Sequence, residues 1–201
     1  MQYEDLLKQL SGRGFLPQVF ATAEEARDEA LRIIGSKSVG IGGSATVRDM
    51  KLYELLTAQG NEVHCHWPVP AEQKTAERNA AVQADVYLSS TNALISDGRL
   101  FNIDGAANRV AGLIYGPETV IVIAGKNKIV GSLDEAYERT RRDCCPGNAR
   151  RQGFKTPCAL VGECNDCRSA DRMCRVVTIH EMPTRRVKAF HILIVDQDLG
   201  L

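Results

Sequence analysis

The residues able to do chemistry gather in three stretches of this chain. In the densest, residues 90–109, Asn92, Asp97, Asn102, Asp104, Asn108 and Arg109 crowd around two Asp-Gly pairs. Asp97-Gly98 is a strong turn signal, because glycine takes positive φ at no steric cost and Asp tolerates it. Ala93-Leu94-Ile95 and Leu100-Phe101 supply two short strands. The run therefore predicts a hairpin whose polar side chains either wall a small-molecule site or only satisfy their own backbone. As a site, Asp104 is the candidate general base, a carboxylate beside a glycine turn whose proton affinity a cleft can tune. Asn108 is the second catalytic candidate, and Asn92 and Asn102 are candidate binding groups. Arg109 pairs either with a substrate carboxylate or with Asp104 itself. Asp97 reads as a turn residue.

The second stretch is a pair of loops. Residues 38–41 form a short buried strand, followed directly by Gly42-Gly43-Ser44-Ala45-Thr46 and then a helix expected over residues 47–59. Glycines after a strand bare backbone N–H groups, a following helix presents its positive end, and Ser44 and Thr46 add hydroxyls, so an anion can bind there. The loop lacks both the Gly-Lys-Ser/Thr ending of a Walker motif and the dinucleotide fingerprint. Gly125-Lys126-Asn127-Lys128 follows the most apolar strand and should share the same sheet edge, where ligands of open α/β sheets gather. Lys128 and Asn127 are read as substrate-binding, with Lys128 a point charge for phosphate or carboxylate; Lys126 is read as solvated.

The third stretch is Cys158-x5-Cys164-x2-Cys167-x6-Cys174, four of the chain's 7 cysteines within seventeen residues. In a loop with few apolar residues, this clustering reads as metal chemistry before disulfides. Zinc favours two short pairs, and only Cys164-x2-Cys167 has that spacing. A four-iron, four-sulfur cluster accepts uneven spacing of four thiolates, which places it ahead of zinc. Cys144-Cys145 precedes Pro146 and reads as ordinary. His64 and His66 share one face of a strand and read as polar surface residues, with Cys65 a small buried side chain opposite.

The elements that must position these groups alternate. Helices are expected over residues 2–10, 23–34 (opened by the capping box Thr22-Ala-Glu-Glu25), 47–59, 71–84, 106–115 and 133–142. Strands are expected over 38–41, 62–67, 84–89, 119–124, 176–179 and 190–195, besides the hairpin. This is an α/β domain with an open, largely parallel sheet flanked by helices. Residues 1–142 read as its core, 143–175 as a cysteine-rich metal-binding segment, and 176–201 as strands returning to the core, one domain overall. Lys plus Arg equal Asp plus Glu at 25 each and aromatics are 5%, which argues against nucleic acid as a partner. No apolar run reaches membrane-span length, and the N-terminus lacks the regions of a signal peptide, so a cytoplasmic protein is expected. A homo-oligomer is left open.

Together, Gly42-Gly-Ser-Ala-Thr46, Ser90-Thr-Asn-Ala93, Asp97-Gly98, Asn102-Ile-Asp-Gly105, Asn108-Arg109, Gly125-Lys-Asn-Lys-Ile-Val130 and the run from Thr156-Pro-Cys158 to Cys174 resemble the lactate-utilisation (LUD) domain family, in its short form with a C-terminal cysteine motif. The resemblance implies the fold shared by ribose-5-phosphate isomerase, glucosamine-phosphate deaminase and coenzyme A transferases. In that group a Gly-rich Ser-Thr loop, similar to Gly43–Thr46, holds phosphate, and an Asp-Gly-Ala segment, similar to Asp104-Gly105-Ala106, lies by the substrate. The isomerase's Asp-Glu is replaced here by Ala107-Asn108, and no residue stands as the transferase glutamate. An Ala-Ala-Pro-like stretch is expected where this chain has Cys144-Cys145-Pro146. The implied function is an iron–sulfur protein that takes part in redox metabolism of a small carboxylate or phosphorylated metabolite, with iron–sulfur oxidoreductase proteins as partners. The competing expectations are a non-redox isomerase- or transferase-like enzyme with a structural metal, and a non-enzymatic redox-sensing subunit.

Overall fold

The computed structural model describes residues 3–201. Among them, the strands are β1 (Leu16–Phe20), β2 (Val39–Ile41), β3 (Val63–Cys65), β4 (Val86–Ser89), β5 (Ala93–Ile95), β6 (Leu100–Asp104), β7 (Thr119–Gly125), β8 (Ile129–Val130), β9 (Val176–His180) and β10 (Ala189–Val195). The helices are α1 (Glu4–Gly12), α2 (Ala23–Ile34), α3 (Ala45–Asp49), α4 (Leu52–Gln59), α5 (Lys74–Ala81), α6 (Asn108–Ile114), α7 (Leu133–Arg139), α8 (Cys145–Arg151) and α9 (Pro157–Val161). A six-stranded, all-parallel sheet runs β1-β10-β7-β4-β2-β3, as the α/β reading expects. A second sheet runs β8-β5-β6-β9, with β6 antiparallel to both its neighbours and β5 parallel to β8.

The core lies on both faces of the large sheet. The continuous apolar run of β7 divides by its two-residue period: Ile121 and Ile123 join one buried cluster, and Val120, Val122 and Ala124 join the other. In β10, Leu193 and Val195 face the first cluster while Phe190, Ile192 and Ile194 face the second. A third cluster, including Ala93, Ile95, Phe101 and Ile103, sits under the small sheet with Ala136 of α7. No helix is long and apolar enough to cross a membrane among the described residues.

Several boundaries differ from the sequence reading. The helix expected over residues 2–10 is α1, with Gln2 outside the described residues. β1 was not expected: Pro17 and its mixed exposure hide an edge strand, which pairs only with β10. The helix expected over 47–59 is broken at Lys51, whose φ is 55°. In one continuous helix Met50 and Leu52 would point about 200° apart; the break lets both enter the same core cluster. The break also leaves α3 too short to offer a strong dipole behind the glycine loop. Helix 71–84 becomes a 3-10 turn, Ala71–Gln73, followed by α5. Helix α6 starts at Asn108 rather than Ala106, because the Asp104 carboxylate accepts from the Gly105 and Ala107 N–H groups and Ala107 adopts φ 62°. The composition shift at residue 143 falls inside a helical run: α7 passes through a π-helical turn, Thr140–Cys144, straight into α8. Of the two late strands, β9 pairs with β6 in the small sheet, and β10 inserts between β1 and β7.

One close approach fixes the site from below. A Cβ on Gly112 of α6 would lie 2.3 Å from the Tyr87 ring, so α6 packs directly on that side chain. The fully buried Tyr87 then donates its hydroxyl to the Asn108 carbonyl at 3.0 Å. Gly112→Ala should destabilise the fold by about 1–3 kcal/mol or more, as overpacked cores do. Urea unfolding would check this; an unchanged midpoint would contradict the packing described.

Candidate functional site

A cavity of about 480 Å³ opens beyond the carboxyl ends of β2, β4 and β7. One wall is the loop Gly43-Ser44-Ala45, another is Ser90-Thr91-Asn92, and Lys128 follows β7. Asp104, Gly105, Ala106, Asn108 and Arg109 line it with residues 170–175, whose Arg175 N donates to the Asp104 carbonyl at 2.9 Å, and Cys144 and Cys145 line it too. Of the residues expected to bind or react, Gly43, Ser44, Asn92, Asp104, Asn108, Arg109 and Lys128 are brought together here.

Arg109 organises the polar wall. Its guanidinium is buried, and all five of its N–H groups have partners. Nη1 donates to Asn102 Oδ1 at 2.8 Å and to the Ser90 carbonyl at 3.4 Å; Nη2 donates to Asn92 Oδ1 at 2.9 Å and to the Ile103 carbonyl at 2.7 Å. Nε meets Asp104 Oδ2 at 3.4 Å. Of the two partners expected for Arg109, the structure therefore holds Asp104. The second Asp104 oxygen accepts from the Gly105 and Ala107 N–H groups at 2.7 and 3.1 Å. Asn92 Oδ1 accepts a further bond from Ile103 N at 2.9 Å. Asp97 takes the turn role expected of it, accepting from Arg99 N at 3.1 Å.

Lys128 is the opposite case. It is 3% exposed, and its Nζ lies 2.9 Å from both Thr46 Oγ1 and Ser90 Oγ. No ion pair reaches it among the described residues. Burial pushes its ammonium down to about 7, with Arg139 and Arg109 acting in the same direction and Cys144 and Asp49 against it.

The remaining expected residues lie behind the wall. Thr46 is buried, accepts from Lys128, and reaches the Leu199 carbonyl at 3.5 Å. Asn102 is fully buried, its Oδ1 spent on Arg109, Thr91 and Asn92 N and its Nδ2 without a partner. Asn127 turns away from the cavity and accepts from Leu199 N at 3.1 Å. Gly42 sits outside the lining, where a Cβ would meet Ser89 Oγ at 2.8 Å. Ser44 Oγ caps α3 by accepting from Val47 N at 3.2 Å. Lys126 pairs with Asp196 at the surface, as a solvated lysine would.

Several cavity residues escaped sequence reasoning, His66, Arg78 and Arg151 among them. His66 was read as surface but lines the cavity; burial, with Arg78 and Lys74 nearby, pushes it down to about 4, so its imidazole is neutral. His64, its strand neighbour, does stay outside, between Glu62 and Glu77. Arg78 of α5 lines the cavity with its Nε buried and, among the described residues, unpartnered, and Arg151 of α8 lines it as well. Neither has a local signature, since only the topology carries α5 and α8 to this edge.

The cysteines are spread apart in the structure. Cys158 is buried beside Thr156, with Sγ 3.3 Å from Oγ1. Cys164 Sγ accepts from Arg141 at 3.6 Å. Cys167 and Cys174 line a second hollow of about 540 Å³, and Cys174 lines the main cavity too. Cys144 and Cys145, read as ordinary, also line the main cavity, and Arg139 donates to Cys144 Sγ at 3.0 Å. Four thiols suit an iron–sulfur cluster or zinc in donor chemistry. As placed they do not form a cage: no three His, Cys, Asp or Glu residues are arranged to hold an ion among the described residues.

The model of the LUD domain matches residues 3–195, nearly the whole chain. The chain belongs to the LUD domain family. In fold it is similar to the crystal structure of a DUF162 family protein from Deinococcus radiodurans, with a TM-score of 0.56 and 17% identity, covering 97% of this chain and 99% of that one. No curated protein matches it.

Two outcomes follow from this LUD domain's geometry. Arg109→Ala leaves Asn92, Asn102, Asp104 and two main-chain carbonyls without their buried donor, and should cost about 3–5 kcal/mol in chemical denaturation; a loss under about 1 kcal/mol would contradict the network described. Burial also holds His180 and His191 below the ordinary imidazole range, as it does His66. These rings resist protonation in the folded chain and take up protons more readily on unfolding once the pH drops below about 6.5. Stability should therefore fall as pH is lowered from about 7, with the His66 share spent by about 4. Urea midpoints across that range check the sign, and flat midpoints would refute it.

Proposed function

We propose that this LUD domain binds a small carboxylate or phosphorylated metabolite in the cavity and takes part in its redox metabolism, in the lactate-utilisation manner. The observation that carries the reading is the buried Lys128, held by two hydroxyls, lining the cavity without a carboxylate partner. A cation in that state destabilises the folded chain, and an anionic ligand removes the cost. Arg78 adds a second cation, and the cavity's acids are Asp104, engaged by Arg109, and Asp171, whose Oδ2 accepts from Lys155 N. The balance of the walls is positive.

The test is calorimetric titration with lactate, pyruvate and small sugar phosphates. At least one should bind, and Lys128→Met should weaken it by about tenfold or more, an increment of about 1.4 kcal/mol. The same variant should keep or raise the melting temperature, because it removes a buried amine. If none of these anions binds the wild-type protein, or if Lys128→Met binds as well as wild type, the reading falls.

We further propose Cys158, Cys164, Cys167 and Cys174 as ligands of a four-iron, four-sulfur cluster, with iron–sulfur oxidoreductase proteins as electron partners. Its support is the donor set itself and the shared hollow of Cys167 and Cys174; the segment must close around the cluster to bring the other two in. Anaerobically purified protein should be brown and carry iron with acid-labile sulfide, and Cys164→Ser should bleach it. Colourless protein with stoichiometric zinc overturns this part.

A further inference from the structure

We propose that Lys128 is a nucleophilic amine that forms an imine with a small anionic carbonyl compound, an aldehyde or ketone carrying a carboxylate or a phosphate close to its carbonyl carbon. This inference rests on the anion-binding reading above and goes beyond it by assigning a covalent step.

The hydrogen bonds around Nζ set its geometry. Ser90 Oγ directs its own hydrogen to the Thr91 carbonyl at 3.4 Å, and Thr46 Oγ1 directs its hydrogen to the Leu199 carbonyl at 3.5 Å. Each hydroxyl oxygen is therefore an acceptor toward Nζ, and the two 2.9 Å contacts consume two N–H groups of the amine. One position on nitrogen remains, and Lys128 lines the cavity. In the neutral amine that position is the lone pair, in an orientation fixed by two hydroxyls rather than by a flexible stem.

The surroundings favour the neutral form. Burial is the main cause; Arg139 and Arg109 add to it, and Asp49 and the Cys144 sulfur act against it. Both arginines are committed elsewhere: Arg109 to the polar wall, Arg139 to the Asn92 and Asn127 carbonyls and to Cys144 Sγ. A desolvated lysine of this kind is a standard way to obtain an amine nucleophile near neutral pH. Arg78, in the same cavity with its Nε unpartnered, supplies a cation for the carboxylate or phosphate of the substrate.

The step balances without any redox partner. The Nζ lone pair attacks the carbonyl carbon, the C=N bond forms as the C=O bond breaks, and both amine hydrogens leave with the oxygen as water. Ser90 and Thr46, already bonded to Nζ, are placed to relay those protons.

The experiment is borohydride trapping on the intact wild-type protein with pyruvate as the carboxylate probe and dihydroxyacetone phosphate as the phosphate probe. Each protein sample is then weighed by intact mass spectrometry and peptide-mapped. One reduced adduct is expected, on Lys128, with one of the two probes; which probe reacts identifies the anion. Lys126→Arg should leave the adduct intact, and Lys128→Arg, verified as folded by circular dichroism, should lose it. Because the map is made on the wild-type chain, it decides the matter even if Lys128→Arg fails to fold. Adducts only on other lysines, or none, overturn the assignment. Calorimetry with the same probes separates the two readings: binding without an adduct on Lys128 sinks the imine and leaves anion binding standing, and absence of both sinks the two together.

Discussion

The structure of this LUD domain depends on burying one guanidinium. Arg109 reaches the loop after β4 and the middle and end of β6, and it satisfies every donor it has on main-chain, amide and carboxylate oxygens of those elements. Only a planar fork with several directional donors can hold so many separate acceptors, which is why lysine would not substitute. Taking the charge out of water is costly, and the cost is recovered only because the acceptors are all in place at once. The hairpin register, the Asp104 turn and the start of α6 are thus conditions for one another. A polar wall held this tightly can border a cavity without collapsing into it.

The same network explains why Lys128 is left as it is. Arg109 holds Asp104, the cavity carboxylate of the polar wall, and the buried amine is hydrogen-bonded to hydroxyls alone among the described residues. Two dipoles do not replace a counter-ion, and the lysine is driven toward neutrality. One cation is therefore structural and saturated, and the other is unsaturated and chemically available. Perturbed titration in a cleft is a marker of function because stability alone would not retain it.

Much of this fold was legible in the sequence because its signals are local. The β-branched run of β7 could only be a buried strand, and the Thr22 capping box opens α2 with Glu25 closing it reciprocally. Asp97-Gly98 makes its turn with Gly98 at φ 88°. What escaped was set by tertiary demand. β1 is an edge strand without alternation, and the expected helix 47–59 broke at Lys51 because Met50 and Leu52 both had core to enter. In the site, loops adjacent to strands could be placed at one edge by topology alone, so Lys128, Asn92 and Gly43 converge. Asn127 and Thr46 show the limit: the right loop does not say which side of the chain a side chain takes. Arg78 lacked even that cue, since it comes from a helix whose polar surface looks solvated, and His66, directly after β3, was passed over because its alternation with His64 reads as an exposed face.

The cysteine segment joins the cavity rather than standing apart from it. Cys174 lines both hollows, Cys144 and Cys145 line the main one, and Arg139 ties Cys144 Sγ to the Asn92 and Asn127 carbonyls beside Lys128. Anything that moves these thiols, whether oxidation or closure of the loop around a metal centre, acts on a wall that a ligand also touches. Linkage then requires the converse, that a ligand filling the cavity bias the thiols. Arg139 joins the two, since one guanidinium bonds Cys144 Sγ and the Asn92 and Asn127 carbonyls together. The thiol wall and the amine wall are two sides of one site.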